Sequence, residues 1–323
     1  MHNVVVVGDA NVDIIVPYPR FLNAERTRIE YPTPELQGGG TSANTAVALA
    51  KLGVGTSFIG TVGDDQYGRF VARDLASSGI DTSGLIIDPT LNTVGVFAFV
   101  DERGERYLWG WPRIDQSFTV IDAQKVSFER VRGAEWVHSS GMSLVHDTSA
   151  RATIIRIFEE AHAAGVTTSF DLNLRVDEGV LCPKFGEALQ RIIPHATYLL
   201  GSGPEEFAHL GEKGWLDNAR ALAGNGRTVV ARDGANGSIG LDGSQEVVAP
   251  AFAVTVEDTI GAGDVYNAGF ISAILQGRTL AGALEAGNAV SAYTVERSGS
   301  RSSPNDKQLA EFLAQHQRGV MSK

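Results

Sequence analysis

Short, uninterrupted apolar runs alternate with helical segments along most of this chain, and that alternation admits few folds. Val4–Val7 is continuously apolar and β-branched, the signature of a strand buried on both faces. Residues 56–61, 136–138, 198–200 and 228–231 read as strands, as do Thr167–Asp171 and Ser238–Leu241. Between them, residues 42–52, 67–77, 148–163, 184–193 and 216–223 carry helical signals, and Gly53 and Gly79 stand where the first two should stop. Three more helices are expected at Ala262–Leu275, 281–295 and 306–316. Repeated strand–helix units predict an α/β fold, a doubly wound, mainly parallel sheet flanked by helices.

Two stretches break this rhythm. Residues 17–37 hold Pro17, Pro19, Pro32 and Pro34 among mixed charges, and residues 12–16 before them read as a strand. Residues 93–109 read as two strands around a Gly-containing turn, a hairpin. These β inserts, at about 14–37 and 88–115, are expected to form a small second sheet. There is no repeat of fixed period and no flexible linker, so residues 1–323 read as a single domain.

Charge and cysteine content narrow the function. A net charge of −11 with no basic cluster argues against a nucleic-acid partner. One cysteine, Cys182, excludes an intrachain disulfide and a Cys-based zinc cluster, which fits a reducing cytoplasm. The seven His include no HExxH pair. The N-terminal segment reads as strands and not as a signal peptide, and the apolar stretches fall short of a membrane span. A cytoplasmic protein with no membrane partner is therefore expected.

Three polar blocks carry the chemistry. The first is Asp258-Thr-Ile-Gly-Ala-Gly-Asp264, running into a helix. A Gly-rich turn at a helix N-terminus presents free N–H groups and the positive end of the dipole, so Gly261, Ala262 and Gly263 suit an anion such as phosphate. Asp264 sits in the first turn, either as a helix-terminal acid favoured by the dipole or as a catalytic base. The second block is Gly38-Gly39-Gly40-Thr-Ser-Ala-Asn44, opening another helix either as backbone close to a ligand or as a flexible turn. The third is Gly8-Asp-Ala-Asn-Val-Asp13, directly after the first strand, where open parallel sheets bind ligands. No Gly-Lys pair exists, so there is no P-loop, and Tyr266 stands where a dinucleotide fingerprint needs its third glycine.

Together these blocks resemble the ribokinase-like carbohydrate kinases of the PfkB family. The glycine block at 38–53 is similar to that family's N-terminal signature, and the block at 258–270 to its C-terminal D-T-x-G-A-G-D signature. The resemblance implies a β lid made by the two inserts, and transfer of the ATP γ-phosphoryl group to a sugar hydroxyl with Mg²⁺. It implies Asp264 as the base and Gly261, Ala262 and Gly263 as the anion hole. Asn11, Asp13, Gly39, Gly40 and Asn44 would line the sugar site. Arg232, Gly234 and Gly237 look like the nucleotide-side turn, and Asn288 stands where the family contacts adenine. Asp171-Leu-Asn173-Leu-Arg175 is similar to a segment in kinases of fructose and keto-deoxy sugar acids, with Asn173 on the nucleotide side. The family's N-x-x-E pattern is present only as Glu206, expected to support Mg²⁺ through water, because Gly203 replaces the Asn. A monovalent cation is a further candidate cofactor. A homodimer through the lid is the expected assembly.

The acceptor stays open at this level. Arg113 and Arg175 could clasp the carboxylate of a sugar acid. Alternatively Arg113 pairs with Asp115, and the substrate is a neutral sugar such as fructose or ribose. Trp109 and Trp111 could stack a nucleoside base, which keeps a nucleoside kinase in view, and a non-catalytic binding relative is a further alternative.

Overall fold

The computed structural model describes residues 2–17, 33–100, 106–112, 114–174, 176–177 and 180–321. The chain opens with β1 (Val4–Val7), β2 (Asn11–Pro17) and β3 (Glu35–Gly39), then α1 (Thr41–Lys51), β4 (Thr56–Gly63), α2 (Gln66–Ser77) and β5 (Asp81–Asp88). A hairpin of β6 (Gly95–Val100) and β7 (Arg106–Trp111) follows. Next come α3 (Phe128–Arg132), β8 (Trp136–Ser140), α4 (Ser149–Ala163) and β9 (Thr167–Asp171). The short pair β10 (Val176–Asp177) and β11 (Val180–Leu181) leads to α5 (Pro183–Ile192), β12 (Tyr198–Ser202), α6 (Trp215–Leu222) and β13 (Thr228–Arg232). The last elements are β14 (Ser238–Leu241), β15 (Glu246–Ala249), α7 (Ala262–Leu275), α8 (Leu280–Val295) and α9 (Asp306–Met321).

The main sheet has nine strands in the order β15-β14-β13-β12-β9-β8-β1-β4-β5. From β13 to β5 every neighbour is parallel, and β14 and β15 add an antiparallel edge. Side chains alternate across a strand, so β1 feeds two cores. Val5 and Val7 pack with Ile154 and Phe158 of α4 and Phe185 of α5. Val4 and Val6 face the opposite layer, with Leu49 of α1, Phe270 of α7 and Leu284 of α8. Each such fully buried side chain contributes about 1.5–3 kcal/mol of apolar transfer energy.

Five elements lie outside the sequence expectation, the two-residue strands β10 and β11 among them. β5 and β15 are edge strands, half exposed, so they lack the continuous apolar run that marks an interior strand. α3 has five residues, too few to show a period.

The second sheet has four strands in the order β3-β2-β6-β7. It begins at Asn11, three residues before the expected insert, and residues 88–94 close β5 and lead into β6. Residues 18–32 and 101–105 of the two inserts lie outside the described residues. Its alternation separates two faces. Ile15, Val96, Ala98 and Leu108 turn toward a cavity above the main sheet. On the other face Phe97 stacks on Phe99 at 5.9 Å, Trp109 at 5.7 Å and Trp111 at 4.4 Å between ring centroids, and Tyr107 extends the row. Among the described residues, no helix is long and apolar enough to cross a membrane.

Candidate active site

The carboxyl ends of β1, β9 and β13 open into a cavity of about 470 Å³ beneath the small sheet. Two helices point their N-termini at it. At α1, Gly40 takes the N-cap position at φ 100°, and a Cβ there would come within 2.7 Å of the Asp9 carbonyl oxygen. That close approach lets the Asp9 carboxylate accept from Thr41 N at 2.8 Å and Ser42 N at 3.1 Å. The free donors of α1 are thus spent on an internal anion.

At α7, Gly261 sits in the left-handed region at φ 74°, and a Cβ would meet the Ser300 Cβ at 2.4 Å. The N–H groups of Gly261, Gly263 and Asp264 have no protein acceptor among the described residues. Asp258 shapes the turn before them by accepting from Ile260 N at 2.9 Å and Gly299 N at 2.7 Å. This terminus is an open anion site.

Asp264 lies at its rim and is buried. Asn44 Nδ2 donates to its Oδ2 at 2.8 Å, and the Thr45 hydroxyl donates to its backbone oxygen at 3.0 Å, so α1 positions the first turn of α7. Burial pushes the Asp264 carboxyl well above the usual carboxylate range. The Asn44 hydrogen bond and Arg232 oppose that rise, while Asp171 and Asp9 add to it.

A buried network closes the other wall. Arg232 pairs with Asp171 at 2.8 Å and donates to Asn267 Oδ1 at 2.7 Å and the Gly263 oxygen at 3.3 Å. Asn267 Nδ2 donates back to Asp171 at 2.8 Å. Burial opposes the charge on Arg232, but Asp171 and Glu206 outweigh it and keep the guanidinium protonated. Glu206 stands one layer behind, accepting from Leu174 N at 2.6 Å and Ser202 N at 2.5 Å. Burial, then Asp171, push its carboxyl up to about 7, against Arg232 and the two backbone donors. Gly203, where the resemblance expects Asn, faces the Trp215 ring, and a Cβ would come within 2.7 Å of it. The indole fills the space that a side chain at 203 would need.

Of the residues singled out from sequence, Asn11, Asp13, Gly40, Asn44, Asn173, Arg232 and Gly261 through Asp264 line this one cavity. Gly39 lies directly behind Asn11 and Asp13. Glu206 is in the layer beneath. Gly234 and Gly237 form the turn after β13, and Asn288 donates to the Ala249 and Pro250 oxygens beside it at 3.0 and 3.1 Å, outside the cavity lining. Arg113 and Arg175 lie outside the described residues. Trp109 and Trp111 are on the aromatic face of the small sheet and do not line the cavity.

Sequence reasoning missed Asp9, Gln37, Asn267 and Ser300. Asp9 and Asn267 sit inside the polar blocks already marked, so position within those blocks was the available signal. Gln37 sits on the alternating strand β3 beside two glycines. Ser300 follows α8 in a short turn that carries no motif.

Comparison with known proteins agrees with this geometry. Residues 1–308 match the family described as pfkB family carbohydrate kinase. The chain is 32% identical over 318 residues to the ATP-dependent ribose-1-phosphate kinase of Halopiger xanaduensis, covering 98% of this chain and 99% of that protein. It is 28% identical over 325 residues to the fructokinase of Vibrio alginolyticus, covering 98% and 100%. Among solved structures, aminoimidazole riboside kinase from Salmonella enterica, complexed with aminoimidazole riboside and an ATP analog, superposes with a TM-score of 0.79 at 27% identity, over 97% of this chain and 100% of that one. A putative ribokinase II from E. coli, in complex with ATP and Mg²⁺, shares the fold at a TM-score of 0.85 and 20% identity, over 98% and 100%.

Proposed function

The chain belongs to the PfkB family of carbohydrate kinases and is an ATP-dependent sugar kinase, and from that premise we propose how its residues divide the work. Asp264 is the general base, and the N–H groups of Gly261, Gly263 and Asp264 form the anion hole, since the Ala262 N–H expected there turns back to the Thr259 oxygen at 3.2 Å. The observation that carries this is one buried carboxylate at the rim of an open helix terminus, held by Asn44. Asp264 takes the proton of the acceptor hydroxyl. The hydroxyl oxygen then bonds the γ-phosphorus, the bond to the β–γ bridging oxygen breaks, and ADP leaves. The free N–H groups of Gly261, Gly263 and Asp264 hold the charge that develops on the transferred group.

Asn11, Asp13, Gly39, Gly40 and Asn44 make the sugar side. Arg232, Asn173, and the turn at Gly234 and Gly237 with Asn288 make the nucleotide side. A magnesium ion in such a site would be bound mainly by phosphates and water. Asn173 would offer it oxygen on the cavity wall, and Glu206 braces the segment that carries Asn173 through Leu174 N. When bound, Mg²⁺ neutralises phosphate charge.

The small sheet acts as a lid. Its cavity face offers Asn11, Asp13 and Gln37 beside Ile15, Val96, Ala98 and Leu108, a mix suited to a neutral sugar. A second reading, an anionic sugar, draws on the relative named ribose-1-phosphate kinase and turns on Arg113 and Arg175. Comparing kcat/KM for ribose, fructose, ribose 1-phosphate and 2-keto-3-deoxygluconate decides between them. A clear preference for either anion rejects the neutral reading. The aromatic face of the lid, with Tyr107 and Trp109 exposed, is proposed to pair with a second copy. A monomer at micromolar concentration in sedimentation contradicts that. The site needs nothing outside a cytoplasmic ATP pool.

The test of the base is Asp264→Asn. Its kcat should fall by about 10²–10⁴ with ATP affinity nearly intact. The same substitution should stabilise the fold. A carboxyl raised by burial binds its proton more tightly folded than unfolded. Its stabilising contribution is complete below the unfolded pKa and is lost as pH rises through the folded one. Asp264→Asn should therefore melt higher than wild type at pH 8, and the gap should shrink as pH falls toward 4. Unchanged kcat removes Asp264 from the mechanism.

A further inference from the structure

We propose that Ser300 is a positioning residue for phosphoryl transfer, its hydroxyl holding the Asn44 amide in the orientation that turns an N–H toward Asp264. Ser300 Oγ donates to Asn44 Oδ1 at 3.1 Å, and Asn44 Nδ2 donates to Asp264 Oδ2 at 2.8 Å. All three residues are buried. The three groups form a directed chain. An ionised carboxylate only accepts, so the amide must present nitrogen to it and its oxygen must find a donor elsewhere. Ser300 supplies that donor, and a bond into the amide oxygen strengthens its N–H as a donor in turn. The inference rests on Asp264 as the base.

The location of Ser300 is built in. Its neighbour Gly299 is held through N–H to Asp258, the residue that also shapes the anion-hole turn through Ile260 N. On the other side, Arg301 donates to the Ala43 oxygen at 2.9 Å and pairs with Asp74 at 3.1 Å. Lys51 of α1 donates to the Arg301 and Ser303 oxygens. The turn after α8 is thus clamped to α1 within one residue of Asn44, and also to the loop before α7. The absent side chain at Gly261 makes the room that Ser300 occupies. Four other charged groups act on Asp264 from the elements around it. These are Asp9 after β1, Asp171 at the end of β9, Arg232 at the end of β13, and Arg301. Ser300→Ala leaves all four in place, so a change in proton affinity at Asp264 reports the relay.

The test is the pH profile of kcat/KM. Asp264 acts ionised, so activity rises with pH along an acid limb. Ser300→Ala should move that limb to higher pH, lowering kcat/KM on it about three- to tenfold, the size of one hydrogen bond. The loss should shrink as pH rises. Ser300→Thr, which keeps the hydroxyl, should restore the wild-type limb. In an Asn44→Ala background, Ser300→Ala should produce no further shift. A Ser300→Ala limb that coincides with wild type overturns the relay, as does an additive shift in the Asn44→Ala background. Wild-type turnover in Asp264→Asn instead overturns the base reading, and the relay with it. Lost turnover in Asp264→Asn with coincident Ser300→Ala and wild-type profiles overturns the relay alone.

Discussion

Two glycine-rich turns, one at Gly38–Gly40 and one at Gly261–Gly263, each open a helix onto the same cavity. In sequence they look alike, and both invite an anion. In the structure their fates differ. The α1 terminus is neutralised by Asp9, whose carboxylate bonds Thr41 N and Ser42 N. The α7 terminus keeps the N–H groups of Gly261, Gly263 and Asp264 for something that is not protein. The difference lies 32 residues upstream of Thr41, in one acid at the end of β1 that the sheet delivers to α1. A helix terminus is therefore an anion site only if no carboxylate of the fold already occupies its N–H groups.

The largest effect that should sharpen this contrast comes from Gly261→Ala. A Cβ there meets Ser300 and stands at a φ of 74°. The strain amounts to about 1–3 kcal/mol. Displacing one or more anion-hole donors should lower kcat by about 10²–10³. Steady-state kinetics with a thermal melt checks both, and normal turnover in a folded variant would show that the α7 donors are not used.

Asp9→Asn tests the closed terminus. It removes a charged cap worth about 1 kcal/mol, so the melting temperature should drop by a few degrees. Because Asp9 raises the Asp264 carboxyl, the acid limb of kcat/KM should also move to lower pH. A limb that moves up, or does not move, contradicts the electrostatic link between the two termini.

The smallest effect is binding of a simple anion. Sulfate at about ten times its dissociation constant should raise stability by about 1.4 kcal/mol. Gly261→Ala should abolish that increment and Asp9→Asn should preserve it. The reverse pattern would relocate the anion site to α1.

The interior of the fold was readable because interior strands announce themselves. Val4–Val7 is apolar at every position since both faces are covered, and Thr167–Asp171 carries its functional residue at its carboxyl end. Edge strands β5 and β15 were not readable, because half of each faces outward. Among site residues, Asp264, Asn44 and Arg232 were visible as polar groups in Gly-rich blocks at strand and helix ends. Ser300 was not, since its role depends on a turn 256 residues from Asn44 being folded against α1. The aromatic residues Trp109 and Trp111 show the opposite error. Their chemistry suggested base stacking, but strand alternation puts them on the face away from the cavity while Leu108 takes the inside. Gly203 is explained only in three dimensions, by the Trp215 ring that covers it.

Single-turnover transfer separates the two carboxylates most directly. With enzyme in excess over ATP, and Mg²⁺ and acceptor sugar saturating at pH 8, the first-order rate is measured for wild type, Asp9→Asn and Asp264→Asn. Asp9→Asn should stay within about tenfold of wild type, a change of at most about 1.4 kcal/mol in the barrier. Asp264→Asn should be slower by about 10²–10⁴. Equal losses in both variants, or a larger loss at Asp9, would contradict the assignment of phosphoryl transfer to the open terminus of α7.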